Sequence, residues 1–178
     1  MISVIMPSYL GEYPGLSVNA EQKFVRAVKS FLTQTYKDKE LIIISDDCDI
    51  TERIYEMNFK KFPNIKYIRI DKQPLYGGEV RNAGIDIAKG DIITYLDNDD
   101  VIGKKHLETI VNNFEYVEPR YGSIGTSSIS HRPVDDIRWD DGYGHDYIFI
   151  SRFIFNGYKF SKVKTPQYLV CHYKDGDF

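Results

Sequence analysis

The first hundred residues alternate short, wholly apolar runs with longer segments whose apolar positions recur every three or four residues. That alternation predicts a mostly parallel sheet covered by helices, a three-layer α/β/α domain. Ser3-Val4-Ile5-Met6 reads as a buried strand stopped by Pro7. From Asn19 onward, Phe24, Ala27, Val28, Phe31 and Leu32 fall at helical spacing, with Asn19 and Gln22 placed as an N-terminal cap. Leu41-Ile42-Ile43-Ile44 is a second buried strand and ends in Ser45-Asp46-Asp47. A capping pattern from Asp49 to Glu52 opens a second helix that Pro63 closes, and residues 65–70 form a third strand. Gly77-Gly78 precedes a helix with Val80, Ala83, Gly84 and Ile87 on one face and Gly90 as its C-terminal cap. The fourth strand, residues 92–96, runs straight into Asp97-Asn98-Asp99-Asp100.

The second half is less regular. Leu107, Ile110, Val111, Phe114 and Val117 predict one more helix, whereas residues 119–144 are polar, glycine-bearing and aperiodic, and read as a loop-rich side. Residues 147–155 carry strand-forming side chains, yet the spacing of Ile150, Phe153 and Ile154 before Gly157 favours a helix. Residues 158–163 and 168–173 are late strand candidates. A chain of 178 residues with this pattern makes one domain, with a ligand-binding half at 1–100 and a second half at 101–178.

Composition narrows the partners. The net charge is -3 and the basic residues are scattered, which excludes a nucleic-acid backbone as the expected partner. Cys48 and Cys171 make neither a disulfide framework nor a zinc site, so two reduced thiols in a cytoplasmic protein are expected. The N-terminus lacks a basic flank and a long apolar segment, so neither a signal peptide nor an integral membrane segment is expected.

In an open α/β sheet, ligands bind outside the carboxyl ends of the strands. Pro7-Ser8-Tyr9, Asp46-Asp47 and Asp97 to Asp100 all come after strands, so the topology lets them face one crevice. Carboxylates spaced Asp-x-Asp, as Asp97 and Asp99 are, suit magnesium or manganese, whose remaining ligands are water and phosphate oxygens. Arg81, near a helix start behind two glycines, is placed to meet phosphate or base. Alone, each of these residues is more often a helix cap or a surface ion pair; it is their common position after buried strands that favours a site. A Gly-x-Gly-x-x-Gly fingerprint, a Walker loop, a nucleophile elbow and a zinc-protease motif are absent.

Taken together, these segments resemble the inverting family-two glycosyltransferases of GT-A fold. Residues 3–9, the run Ser30-Phe31-Leu32-Thr33-Gln34-Thr35-Tyr36, residues 40–46, Arg81-Asn82-Ala83-Gly84 and residues 90–100 are each similar to a segment of that family, as is Gly144-His145-Asp146-Tyr147. The resemblance implies a nucleotide-diphosphate sugar donor, with uridine favoured, and a glycan or small acceptor. It implies that Pro7, Ser8, Tyr9, Asp46, Arg81, Asp97 and Asn98 bind the donor, that Asp97 and Asp99 hold Mn2+ or Mg2+, with His172 as a further ligand, and that Asp146 is the general base. The chain departs from the family in having His145 where an acidic residue usually stands, and in the short spacing from Asp99 to Asp146. It also ends at Phe178 without a C-terminal extension, a gap that a small acceptor, a partner chain or a homo-oligomer would fill. These departures keep a second reading open, a nucleotide-sugar-binding module without transfer activity. A sugar-phosphate nucleotidyltransferase would need a glycine- and arginine-rich loop where Leu10-Gly11-Glu12-Tyr13-Pro14 stands.

Overall fold

The computed structural model describes residues 1–12, 19–73, 77–112, 129–142 and 144–158, together with the backbone of 168–169. Its five-stranded sheet has the order β3-β2-β1-β4-β6, built from β1 (Ile2–Ser8), β2 (Lys39–Asp46), β3 (Ile65–Ile70), β4 (Ile92–Tyr95) and β6 (Ser130–His131). The first four strands run parallel and β6 is antiparallel to β4. A second, two-stranded sheet pairs β5 (Val101–Ile102) with β7 (Tyr168–Leu169).

The inner strands β1, β2 and β4 are buried on both faces, which is why they read as largely apolar runs, whereas β3 at the sheet edge carries Lys66 and Arg69 and is only partly buried. Ile2, Val4, Met6, Leu41 and Ile43 face α1 (Ala20–Leu32), α2 (Asp49–Asn58) and α4 (His106–Asn112). Ile5, Ile42, Ile44, Ile93 and Tyr95 face α3 (Gly78–Ile87) and α5 (His145–Phe155). The expected three-layer α/β/α order is therefore observed. Chain direction reverses its spread between β1 and β4, and this switch point is where such a sheet opens a crevice.

Several local expectations need correction. Pro7 does not stop β1, because β1 pairs with β2 through Ser8 but with β4 only through Ile5. Alternate residues hydrogen-bond to opposite sides, so the position of Pro7 faces the side where β4 has already ended and no N–H is needed. Asn19 precedes α1, but in the left-handed region and without a side-chain cap; its carbonyl accepts from Lys23 instead. Asp49 and Glu52 do not form a capping box either, since both carboxylates bind Arg69. Gly90 is not the cap of α3, which ends at Ile87 with Ala88 as its C-cap. A Cβ at Gly90 would lie 2.5 Å from the backbone nitrogen of Ser3, so close approach of the chain explains this glycine. Residues 147–155 are helical, within α5. Phe114, Val117 and most of the two late strand candidates lie outside the described residues.

The larger correction concerns residues 129–142, which are not a plain loop side. Ile129, Ile137 and Trp139 are buried against Tyr95, Phe149 and Phe153. Trp139 stacks on Phe149 with ring centroids 4.1 Å apart, and its indole N–H donates to the Tyr95 hydroxyl at 2.9 Å. Tyr95 in turn lies 2.8 Å from His131 Nε2. His131 Nδ1 is 2.7 Å from the carbonyl of Arg132, to which it can only donate, so neutral His131 accepts at Nε2 and Tyr95 is the donor. Burial keeps His131 neutral by pushing it down to about 4, and raises the Tyr95 hydroxyl well above its ordinary value. Replacing Tyr95 with Phe leaves a buried donor on Trp139 and a buried acceptor on His131. The expected loss is about 1–3 kcal/mol of stability in urea denaturation, and an unchanged midpoint would show that the chain of bonds adds nothing.

Candidate active site

The crevice between β1 and β4 is framed by residues from the carboxyl ends of three strands. The Asp46 carboxylate, at the end of β2, is 7% exposed. It accepts from the backbone N–H of Gln73 at 2.7 Å and from Lys72, whose ammonium also lies 3.7 Å from the centroid of the Tyr9 ring. Asp46 is therefore not a helix cap. Ser8 is buried, 3.1 Å from the Thr51 hydroxyl, and accepts a long hydrogen bond of 3.4 Å from Asn98 across the switch point. That contact ties the end of β1 to the loop after β4.

The loop from Asp97 to Asp100 is a turn closed by the Asp100 N–H and the Asp97 carbonyl at 3.1 Å. Arg26 of α1 donates to the carbonyl of Asp99 at 3.2 Å. The end of α1 anchors the segment after this turn: buried Gln34 bonds the carbonyl of Gly103 and the N–H of Leu107, and Ser30 accepts from Ile102. The run from Ser30 to Gln34 thus fixes the exit of the aspartate loop.

Arg81, buried in the first turn of α3, donates to Asp97 at 3.1 Å and to the carbonyl of Gly77. Its guanidinium lies 5.2 Å from the centroid of the Trp139 ring. The same indole meets the His145 ring at 5.6 Å on the way into α5. Trp139 is thus a common floor for the aspartate side and the α5 side of the crevice. Its backbone is locked by a reciprocal pair with Asn82, whose Oδ1 accepts from Trp139 N at 2.8 Å and whose Nδ2 donates to Trp139 O at 3.0 Å. Asp141 completes the join by accepting from the N–H of Gly78 at 2.7 Å, which puts a carboxylate at the positive end of α3. A Cβ at Gly78 would come within 2.5 Å of the carbonyl of Asp140, so glycine is needed there.

Asp146 stands in the first turn of α5, with its Oδ1 3.1 Å from His145 Nε2. The Asp146 carboxylate raises His145 above its ordinary value, against the opposing influence of burial and of Arg81.

Sequence patterns did not single out Lys72, Thr51, Trp139 and Asp141. The one tryptophan of the chain, between Arg138 and two aspartates, was the available signal. Among the described residues no group of three His, Cys, Asp or Glu side chains is close enough to hold a metal ion. Asp97 and Asp99 offer oxygen donors only, a set that fits a hard cation completed by phosphate and water. His172 lies outside the described residues, as does Cys171; Cys48 is a buried free thiol.

Comparison with known proteins places this fold. The crystal structure of S. aureus TarS 1–349 superposes with a TM-score of 0.72 at 19% identity, covering 94% of this chain and 59% of that one. The same protein in complex with UDP-GlcNAc matches with a TM-score of 0.70. The fold is thus the GT-A fold. The chain belongs to glycosyl transferase family 2, whose profile matches residues 3–172. An uncharacterized glycosyltransferase of Haemophilus influenzae is 34% identical over 114 residues, 63% of this chain and 41% of that protein. The Escherichia coli UDP-Glc:alpha-D-GlcNAc-diphosphoundecaprenol beta-1,3-glucosyltransferase WfgD is 27% identical over 180 residues, 94% of this chain and 67% of that protein. The chain therefore spans about two fifths and two thirds of the lengths of these relatives. Among the described residues no helix is long and apolar enough to cross a membrane.

Replacing Asp141 with Ala removes a side-chain acceptor at the start of α3 and frees the loop that carries Trp139. A loss of about 0.5–2 kcal/mol is expected from the lost helix-end bond, read by thermal melting. An unchanged melting temperature would show that the Asp141 bond adds nothing to the join between this loop and α3.

Proposed function

We propose that the protein transfers a sugar from a uridine-diphosphate sugar to a glycan or small acceptor with inversion at the anomeric carbon, as part of polysaccharide assembly. The observation that carries this reading is the convergence of Asp46, Ser8, Asn98 and the Arg81–Asp97 pair at the switch point, with Asp146 beyond Trp139.

Asp46 supports uridine on chemical grounds. Its carboxylate is held by the Lys72 ammonium and the Gln73 N–H and can still accept, and the ammonium has further protons to give. A uracil N–H suits the carboxylate and a neighbouring uracil carbonyl suits the ammonium, whereas cytosine and adenine present an acceptor nitrogen to the carboxylate and are disfavoured. Tyr9 is placed beside Lys72. Pro7 and Ser8 form the wall at the end of β1. WfgD carries UDP-Glc in its name and TarS has been solved with UDP-GlcNAc, which agrees with this choice.

Asp97 and Asp99 are the residues that would hold manganese or magnesium, which when bound supplies positive charge to the leaving diphosphate. Arg81 adds a fixed cation from the start of α3. The acceptor hydroxyl attacks the anomeric carbon from the face opposite the nucleotide. Asp146 takes its proton as the new C–O bond forms and the bond to the diphosphate oxygen breaks. No covalent intermediate on the protein is required. The free thiol of Cys48 is in keeping with a cytoplasmic location for this chemistry.

Calorimetric titration with uridine diphosphate, with and without manganese, tests the donor site directly. Metal-dependent binding is expected in the unaltered protein, and Asp99→Ala should lose the manganese-dependent part while melting at the same temperature. Manganese-dependent affinity that survives this change would overturn the metal assignment. Asp146→Asn should keep donor affinity and lose transfer. Donor binding by the unaltered protein with neither hydrolysis nor transfer would favour the binding-module reading instead.

A further inference from the structure

His145 is the departure from the family that the proposed function leaves unused. Its Nδ1 lies 3.0 Å from the carbonyl of Gly142, and a carbonyl can only accept, so Nδ1 carries a proton. In neutral His145 the other nitrogen, Nε2, is then a bare lone pair. That lone pair faces Asp146 Oδ1 at 3.1 Å. Two acceptors at this distance repel, so the contact as it stands holds one further proton, either as imidazolium facing carboxylate or as imidazole facing carboxylic acid.

We propose that His145 and Asp146 act as one proton-holding pair, in which loss of the shared proton makes Asp146 competent as a base and His145 Nε2 stores the proton that Asp146 takes from the acceptor. The step balances. The acceptor O–H breaks as its oxygen bonds to the anomeric carbon, the anomeric C–O bond to the diphosphate breaks with its electron pair leaving on the nucleotide, and the proton passes to Asp146 and on to Nε2. The imidazolium so formed then releases it to solvent. His145 is a positioning residue here, acting through Asp146, and the proposal rests on the transferase reading.

The surroundings of the pair bear on its proton. Asp146 raises His145, and Arg81, packed across Trp139, opposes its protonation. Arg81 is itself paired with Asp97. On the neighbouring loop Asp141 is bound to Gly78, while Asp140 pairs with Arg152 of α5 itself. The positive end of α5 disfavours imidazolium and favours the Asp146 carboxylate.

A raised His145 keeps its proton to higher pH, so activity limited by the pair rises with pH through a midpoint above about 6.5, rather than near 4 as for an isolated carboxylate. Two measurements test this. In the intact protein, NMR titration of the His145 ring is expected to give a midpoint above its ordinary value of about 6.5, falling in Asp146→Asn. Hydrolysis of UDP-glucose and UDP-N-acetylglucosamine with manganese, with water standing in for the acceptor, is expected to show the acid limb of kcat/KM above about 6.5, and His145→Asn should move it to lower pH. An Asp146→Asn protein whose His145 titrates unchanged overturns the pairing. An acid limb that stays in place in His145→Asn overturns the relay, whatever the variant does to overall rate. A pair that titrates jointly in a protein hydrolysing neither donor overturns the transferase reading and the relay with it, and leaves the pairing intact.

Discussion

Trp139 is the side chain on which the second half of the domain depends. Its indole N–H reaches down to Tyr95 in the sheet, its ring stacks on Phe149 of α5, and its backbone is held by Asn82 of α3. Two helices, a strand and a loop are thereby fixed to one another by directional contacts as well as by apolar packing. Such a residue cannot shift without breaking hydrogen bonds in a buried place, where an unmade bond is expensive. Rigidity of that kind is useful under a crevice, because Arg81 and His145 both rest against the same ring.

The halves of the chain differed in how much of this was legible. The limits of β3 are those its apolar pattern predicts, and the apolar runs of β1, β2 and β4 gave the sheet, since a strand buried on both faces has no alternative to continuous apolar side chains. The aspartates after those strands were legible for the same reason: position on a parallel sheet determines where a loop opens. Residues 129–142 were not legible, because their burial arises from a tryptophan, a histidine and partners in α3 and β4, with no period to announce it. Local rules for caps and strand ends mislead at Gly90 and Pro7. Both are explained by which neighbour lies beside them, a fact of topology that propensity does not contain.

Asn19 and Asp49 make the same point for helix ends. Each has a residue type suited to capping, but neither forms the expected capping pattern. Asp49 is drawn instead to Arg69, which also holds Asp47 and Glu52. α3 starts with a glycine, yet it is capped from a distance by Asp141. An orphan helix N–H accepts any oxygen that the fold brings to it, so a cap can come from 63 residues away as readily as from the preceding position.

The carboxylates assigned to donor and acceptor share one arrangement: Asp46 with Lys72, Asp97 with Arg81, and Asp146 with His145. Carboxylates gathered on one side of the sheet repel one another, and a partner cation beside each offsets that repulsion before any ligand arrives. The consequence is that a charged ligand must exchange partners rather than simply fill a space. In the proposed transferase, Arg81 would leave Asp97 to meet the diphosphate as Asp97 turned to the cation, so one ion pair would couple the two. Lys72 need not leave Asp46 to meet a carbonyl oxygen, because its ammonium carries three donors. His145 alone among the three cations can lose its charge near neutral pH, and it is the one that stands beside the carboxylate proposed as the base.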